Sequence, residues 1–226
     1  MYYDFHIHSA LSPCGSNDMT PNNIINMAMI KGLDVIAVCD HNCVKQQPAL
    51  EKVASRLNFK ILFGIEVESI EEVHILGLFK NLEDNQRFGS WVESKKPYIK
   101  NNEAFFGEQL VFNENDEIIE KLDDLLLVSI NASIEEVADK IHEHNGKVVL
   151  AHVLDKRNGI ITQLGYIPKN LKFDAIEVKD ELQIQKVLTL NPWIEKCLWL
   201  NDSDAHTLWD INEAMYSINL SKLGCD

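Results

Sequence analysis

Four short apolar runs in this chain end at a histidine: YYDFHIH (2–8), DVIAVCDH (34–41), KVVLAH (147–152) and LWLNDSDAH (198–206). Each has the β-branched and aromatic content of a strand. Between and around them lie helix-period segments: TPNNIINMAMIKG, a stretch around 47–57, and SIEEVADKIHEHNG. Thr20 and Ser133 stand as N-caps, Pro21 opens the first helix, and Gly32 and Gly146 close their helices. Strand alternating with helix predicts a mostly parallel α/β sheet or barrel. KILFGIEVES and EEVHILGLF add two strands joined by a short polar turn, and FDAIEVKD adds another. Residues 81–130 carry Trp91, Tyr98, Phe105 and Phe106 without a clear period, and predict an insertion in a single 1–226 domain, either packing over the barrel or covering a site as a lid.

In a strand, residues i and i+2 share a face, so His6 and His8 point the same way. The same count can be made along the chain. His41 and Asp40 end the second strand, Glu66 lies in FGIEVE, His74 in VHILGLF, and His152, Asp204 and His206 end later strands. Six of the eight histidines thus fall on or at the ends of predicted strands, where α/β barrels collect their function. So many imidazoles and carboxylates cannot be packed dry without a heavy desolvation cost. Divalent ions reverse that balance, and a donor set of imidazole and carboxylate suits zinc, manganese or iron. The ligands exceed the needs of one ion, so two or three are expected, with Glu66 as the bridge. His142 and His144 sit near the end of a helix, where H-x-H diverges, and are expected at the surface.

The 226 residues carry 35 acidic against 21 basic side chains, a net charge of −14. That field opposes binding along a long nucleic acid. An anionic substrate is then admitted only if local cations outweigh it, as metal ions do. Five cysteines without a C-x-x-C pair point to a reducing, cytoplasmic setting rather than a disulfide framework. No apolar run reaches membrane-spanning length, and no leader-like segment precedes the first strand.

The ordered motifs HIH, CDHN, GIE, HILG, AHV and SDAH, spread over residues 5 to about 206, resemble the PHP (polymerase and histidinol phosphatase) family. That resemblance implies a distorted (β/α)7 barrel holding two or three divalent ions, and the hydrolysis of phosphate esters. It assigns His6, His8, Glu66 and Asp204 to one ion, and Glu66, His74 and His152 to a second. His41 and His206 fall to a third, with Asp40 orienting a histidine from behind. The family pattern H-x-H-T-x-x-S-D-G places an aspartate at the third ion. Here HSALSPCG offers Pro13 at that spacing and Cys14 one residue later, so Cys14 or Asp18 is the candidate replacement, or Cys14 is an inert small residue and the third position is weak or empty.

The expected reaction is attack on phosphorus by a hydroxide bridging two ions, with Glu66 and Asp204 central to catalysis. Lys156 and Arg157, just beyond His152, are candidate phosphate contacts; Asp155 is a general acid or a turn residue. The expected substrate is a small phosphomonoester, such as a nucleotide or an amino-alcohol phosphate, or a short oligonucleotide. Two alternatives stay open: a metal-dependent, amidohydrolase-like hydrolase of a non-phosphate bond, and a non-catalytic metal-binding module. The aromatic residues of 81–130 are either core or stacking groups for a base.

Overall fold

The computed structural model describes residues 1–194 and 196–225. Its strands are β1 (Tyr3–Ile7), β2 (Val35–Val38), β3 (Lys60–Glu68), β4 (His74–Phe79), β5 (Leu110–Phe112), β6 (Ile118–Lys121), β7 (Lys147–Leu150), β8 (Ala175–Glu177) and β9 (Leu198–Leu200). The helices are α1 (Pro21–Ile30), α2 (Gln47–Leu57), α3 (Leu82–Lys95), α4 (Glu103–Phe106), α5 (Ile134–Glu143), α6 (Ile160–Leu164) and α7 (Glu181–Leu190).

Seven strands form one curled sheet in the order β1-β2-β3-β4-β7-β8-β9. The chain beyond β9 returns to β1 through a parallel bridge between Ile7 and Ala205. His8 N–H donates to the Ala205 carbonyl (2.8 Å) and Ala205 N–H to the His6 carbonyl (3.1 Å). The result is a curled, barrel-like sheet; the alternation of strand and helix left sheet or barrel open, and the distorted barrel is what the resemblance implied.

One strand departs from the parallel expectation. β4 is antiparallel to both β3 and β7, because residues 69–73 are too few for a crossover helix. The link turns tightly at Glu72, with φ 59°. Running backwards, β4 brings its first residue, His74, to the rim where the parallel strands end. His74 is therefore at the start of its strand, not at a C-terminal end.

Inward side chains form a core of strand residues, including Phe5, Val35, Ala37, Leu62, Leu76, Val149 and Leu200. Ile218, Leu220 and Leu223 of the C-terminal segment join this core. Outside, Ile24, Ile25 and Ala28 of α1 and Leu50 and Val53 of α2 pack on Ile36 and Val38. Phe88 and Val92 of α3 and Val137 and Ile141 of α5 cover Ile65, Ile75 and Val148. Burial at roughly 25 cal/mol per Å² of apolar surface makes these layers the main stabilising term. Gly64 has no room for a side chain: a Cβ there would lie 2.3 Å from Cys39 Sγ.

The segment 81–130 divides in two. Its first part is α3, a 14-residue helix capped by Asn81 and built into the barrel wall. The remainder carries α4 and the separate β5–β6 hairpin, which abuts the loop after β1. Leu110 N–H donates to the Ala10 carbonyl (2.9 Å). Trp91 is partly buried against the core, whereas Tyr98 and Phe105 are exposed. Among the described residues no helix is long and apolar enough to cross a membrane.

Candidate metal centre

Glu66 lies inside the rim of the barrel on β3, 1% exposed, and five imidazoles close on its carboxylate. His74 Nδ1 is 2.8 Å away, His41 Nδ1 and His152 Nε2 3.1 Å, His8 Nε2 3.3 Å and His6 Nε2 3.4 Å. One carboxylate offers about four lone-pair sites, so it cannot accept five good hydrogen bonds at once. Several of these atoms have no hydrogen-bond partner: His6 Nε2, His74 Nδ1 and Glu66 Oε2 are buried and unsatisfied. Buried donor atoms left without partners, facing one another, fit divalent ions and do not fit a satisfied polar core.

The outward ring nitrogens of His6, His74 and His8 are held, whereas His152 Nδ1 is buried without a hydrogen-bond partner. His6 Nδ1 sits 2.8 Å from Glu177 Oε2, and His74 Nε2 3.2 Å from Glu68 Oε2. A carboxylate accepts from N–H, so each ring keeps its lone pair on the nitrogen facing the centre. His8 Nδ1 lies 3.0 Å from Ser12 Oγ, whose hydroxyl donates to Asp40 (2.7 Å). Asp40 thus reaches the histidine through a serine, and it also accepts from the N–H and hydroxyl of Ser9. His206 Nδ1 donates to the Asp204 carbonyl (2.7 Å).

Four groups of potential ligand atoms lie within 4.8 Å of one another: His6, His8 and Asp204; His6, Glu66 and His152; His41, Glu66 and His74; and His8, Cys14, His41 and His206. Glu66 belongs to the second and third, which place His152 beside His6 and His74 beside His41, and the last group lies on the Cys14 side. Burial pushes the Glu66 carboxyl up, but His74, His6 and His41 outweigh it and hold it well below the usual range. Asp204 is likewise held low against its burial by His6 and His8. Cys14 is exposed at the cleft mouth, yet the protein atoms crowded around its sulfur and the Glu66 charge push the thiol up to about 12. His152 and Asp204 take positive φ, 29° and 53°, a left-handed conformation that costs about 1–3 kcal/mol outside glycine and collects at functional sites.

Every sequence-selected ligand, His6, His8, His41, Glu66, His74, His152, Asp204 and His206, falls in these groups. Asp18 does not: it is exposed in the turn before α1, and its carbonyl accepts from Asn23. Lys156 lines the cleft, its Nζ 3.1 Å from Asp204 Oδ2. Arg157 lines the same cleft and pairs loosely with Glu72 (3.5 Å). Asp155 pairs with Lys179. His142 is bound to Asp174 (2.7 Å) and His144 caps α5, both outside the four groups. Sequence reasoning missed Ser12, Glu68 and Glu177. Glu177 had a signal: it is a carboxylate in an apolar strand, AIEV, matching the GIEV around Glu66.

A 5′-3′ exoribonuclease of Haemophilus influenzae is 29% identical over 79 residues, 34% of this chain and 28% of that protein. The lesion-specific endonuclease Q of Pyrococcus furiosus superposes with a TM-score of 0.64 and 20% identity, over 91% of this chain and 48% of that one. An amidohydrolase of Chromobacterium violaceum, solved with bound sulfate and no metal, gives 0.58 and 20% over 93% and 90%. This chain spans about a quarter of the exoribonuclease and about half of endonuclease Q. The PHP domain pattern matches residues 4–161, which include Glu66 and five of its surrounding imidazoles, and the chain belongs to the PHP domain family.

Proposed function

We propose that this chain is a metal-dependent phosphoesterase acting on the exposed phosphate of a nucleotide, an amino-alcohol phosphate or a short oligonucleotide. The observation that carries the proposal is Glu66 enclosed by five imidazoles at the rim of a PHP barrel. His6, His8, Glu66 and Asp204 would hold one ion, and Glu66, His74 and His152 a second. Divalent ions there would polarise phosphoryl oxygens and make water a competent nucleophile near neutral pH.

The chain's own residues supply the rest. Glu177, Glu68 and the Ser12–Asp40 pair fix ring orientation, so the ligand set is preorganised. The cleft is about 310 Å³, at the small end of ligand pockets, which suits one phosphate with its first substituent. Lys156 and Arg157 place positive charge on its wall for phosphate oxygens. Away from the cleft, the charge of −14 disfavours tracking along a long backbone. The nuclease relatives favour a nucleotide-containing substrate.

The test is metal content by elemental analysis, paired with phosphate release from monophosphates and short oligonucleotides. Two or more ions per chain, with release abolished in Glu66→Ala, is the expected result. A metal-loaded protein that cleaves amide or ester substrates but no phosphate ester would replace this proposal with the amidohydrolase-like reaction, and one that turns over nothing with the binding module.

A further inference from the structure

Beyond the Glu66 pair, we infer that Cys14 completes a third metal site of mixed sulfur and imidazole donors, selective for a thiophilic ion such as zinc. The inference rests on the proposal above, that this rim is a metal centre, and adds the donor chemistry of its third position.

Three observations carry it. First, ligand atoms of Cys14, His8, His41 and His206 all lie within 4.8 Å of one another. The His8 ring centroid is 4.6 Å from that of His41 and 4.4 Å from that of His206. Second, the far nitrogen of His206 is already engaged. His206 Nδ1 donates to the Asp204 carbonyl, which leaves its Nε2 as the lone-pair atom. The third position thus takes Cys14, His41 and His206, while His8, whose Nε2 serves the first ion, only lines it. Third, the Cys14 loop is fixed from both sides. Gly15 N–H donates to the Ser12 carbonyl (2.8 Å), and Ser16 N–H to the carbonyl of His206 itself (2.9 Å). A Cβ on Gly15 would meet the Ser9 carbonyl at 2.4 Å, so the turn accepts only glycine there. On the outer side Gly107 packs on Pro13, the neighbour of Cys14. The extra residue of HSALSPCG is therefore absorbed in a tight turn that presents Cys14 to the cleft rather than withdrawing it.

Sulfur changes which ion is held. A thiolate with imidazoles favours zinc, and disfavours manganese and magnesium, which prefer oxygen. The third position thus selects its ion separately from the carboxylate-bridged pair.

The experiment is cobalt(II) loading of the full chain, read by near-ultraviolet absorption and by metal counting, for the native protein, Cys14→Ser and Cys14→Asp. Thiolate bound to cobalt gives a sulfur-to-metal charge-transfer band that imidazole and carboxylate do not give. The expected result is a band in the native protein that is absent from both variants. Cys14→Ser should lose about one ion per chain, while Cys14→Asp should keep the count and bind manganese more readily. Absence of the band in the cobalt-loaded native protein, or its survival in either variant, overturns the inference, as does an unchanged ion count in Cys14→Ser. Cys14→Asp guards against a folding defect in Cys14→Ser, because it can lose the band only through the loss of sulfur. The two proposals fail separately. A native protein with the band but no phosphate release sinks the phosphoesterase alone, and one that releases phosphate without a band sinks the third site alone.

Discussion

Glu177 Oε2 lies 2.8 Å from His6 Nδ1, in a pair that joins the end of β8 to the end of β1 across 171 residues of sequence. Both side chains are buried, and the pair turns the Nε2 lone pair of His6 toward Glu66. Burial lowers the affinity of His6 for a proton, yet Glu177, Glu66 and Asp204 outweigh it and raise the imidazole well above its ordinary range.

Glu177→Gln keeps the shape of this pair and removes its charge. Metal affinity should fall about 10–100-fold, the usual cost of losing a carboxylate behind a ligating histidine. Calorimetric titration with zinc measures it. An unchanged affinity would mean that Glu177 has no part in orienting His6.

Lys156 pairs with Asp204 and is about half exposed, so its contribution is screened. Lys156→Ala should lower kcat/KM for phosphate substrates roughly 10-fold, mostly through KM, and the deficit should shrink as salt rises. Steady-state kinetics at two ionic strengths checks this. A deficit confined to kcat and insensitive to salt would instead put Lys156 in the chemical step.

Gly107 has φ 105°, and a Cβ there would lie 2.1 Å from the Pro13 carbonyl. Gly107→Ala must therefore strain its own backbone and push the loop that carries Cys14. A loss of about 1–3 kcal/mol is expected, a fall in melting temperature of several degrees for a chain this size. Differential scanning calorimetry reads it, and an unchanged melting temperature would show that the β5–β6 segment shifts freely.

Asp174 accepts from His142 Nε2 (2.7 Å), Val148 N–H (2.9 Å) and Lys147 Nζ (3.2 Å), at a distance from the metal groups. Burial raises its carboxyl, but these partners prevail and hold it below the ordinary value of 3.8. A carboxyl depressed on folding contributes stability that is present above its unfolded value and is lost as pH falls through the folded one. Asp174→Asn should therefore cost about 1–2 kcal/mol at neutral pH, and the gap to the native protein should close below about pH 4. Denaturant titrations at neutral and acid pH test this; a gap that widens in acid would reverse the sign of the argument.

What local sequence determined is the alternation of strand and helix and the placing of imidazoles at strand ends, because period, cap residues and β-branched runs act within a few residues of themselves. α2 at 47–57 and the Ser133 cap of α5 are written in this local code, and so is the shared face of His6 and His8. α3 was not legible, since Phe88 and Val92 show their value only against the core they cover. The tertiary structure alone decided the reversed direction of β4, the placing of Cys14 and not Asp18 beside His41 and His206, and the pairing of Glu177 with His6. Each depends on which distant segments meet when the sheet curls, and burial and desolvation at such meetings leave no period in the sequence.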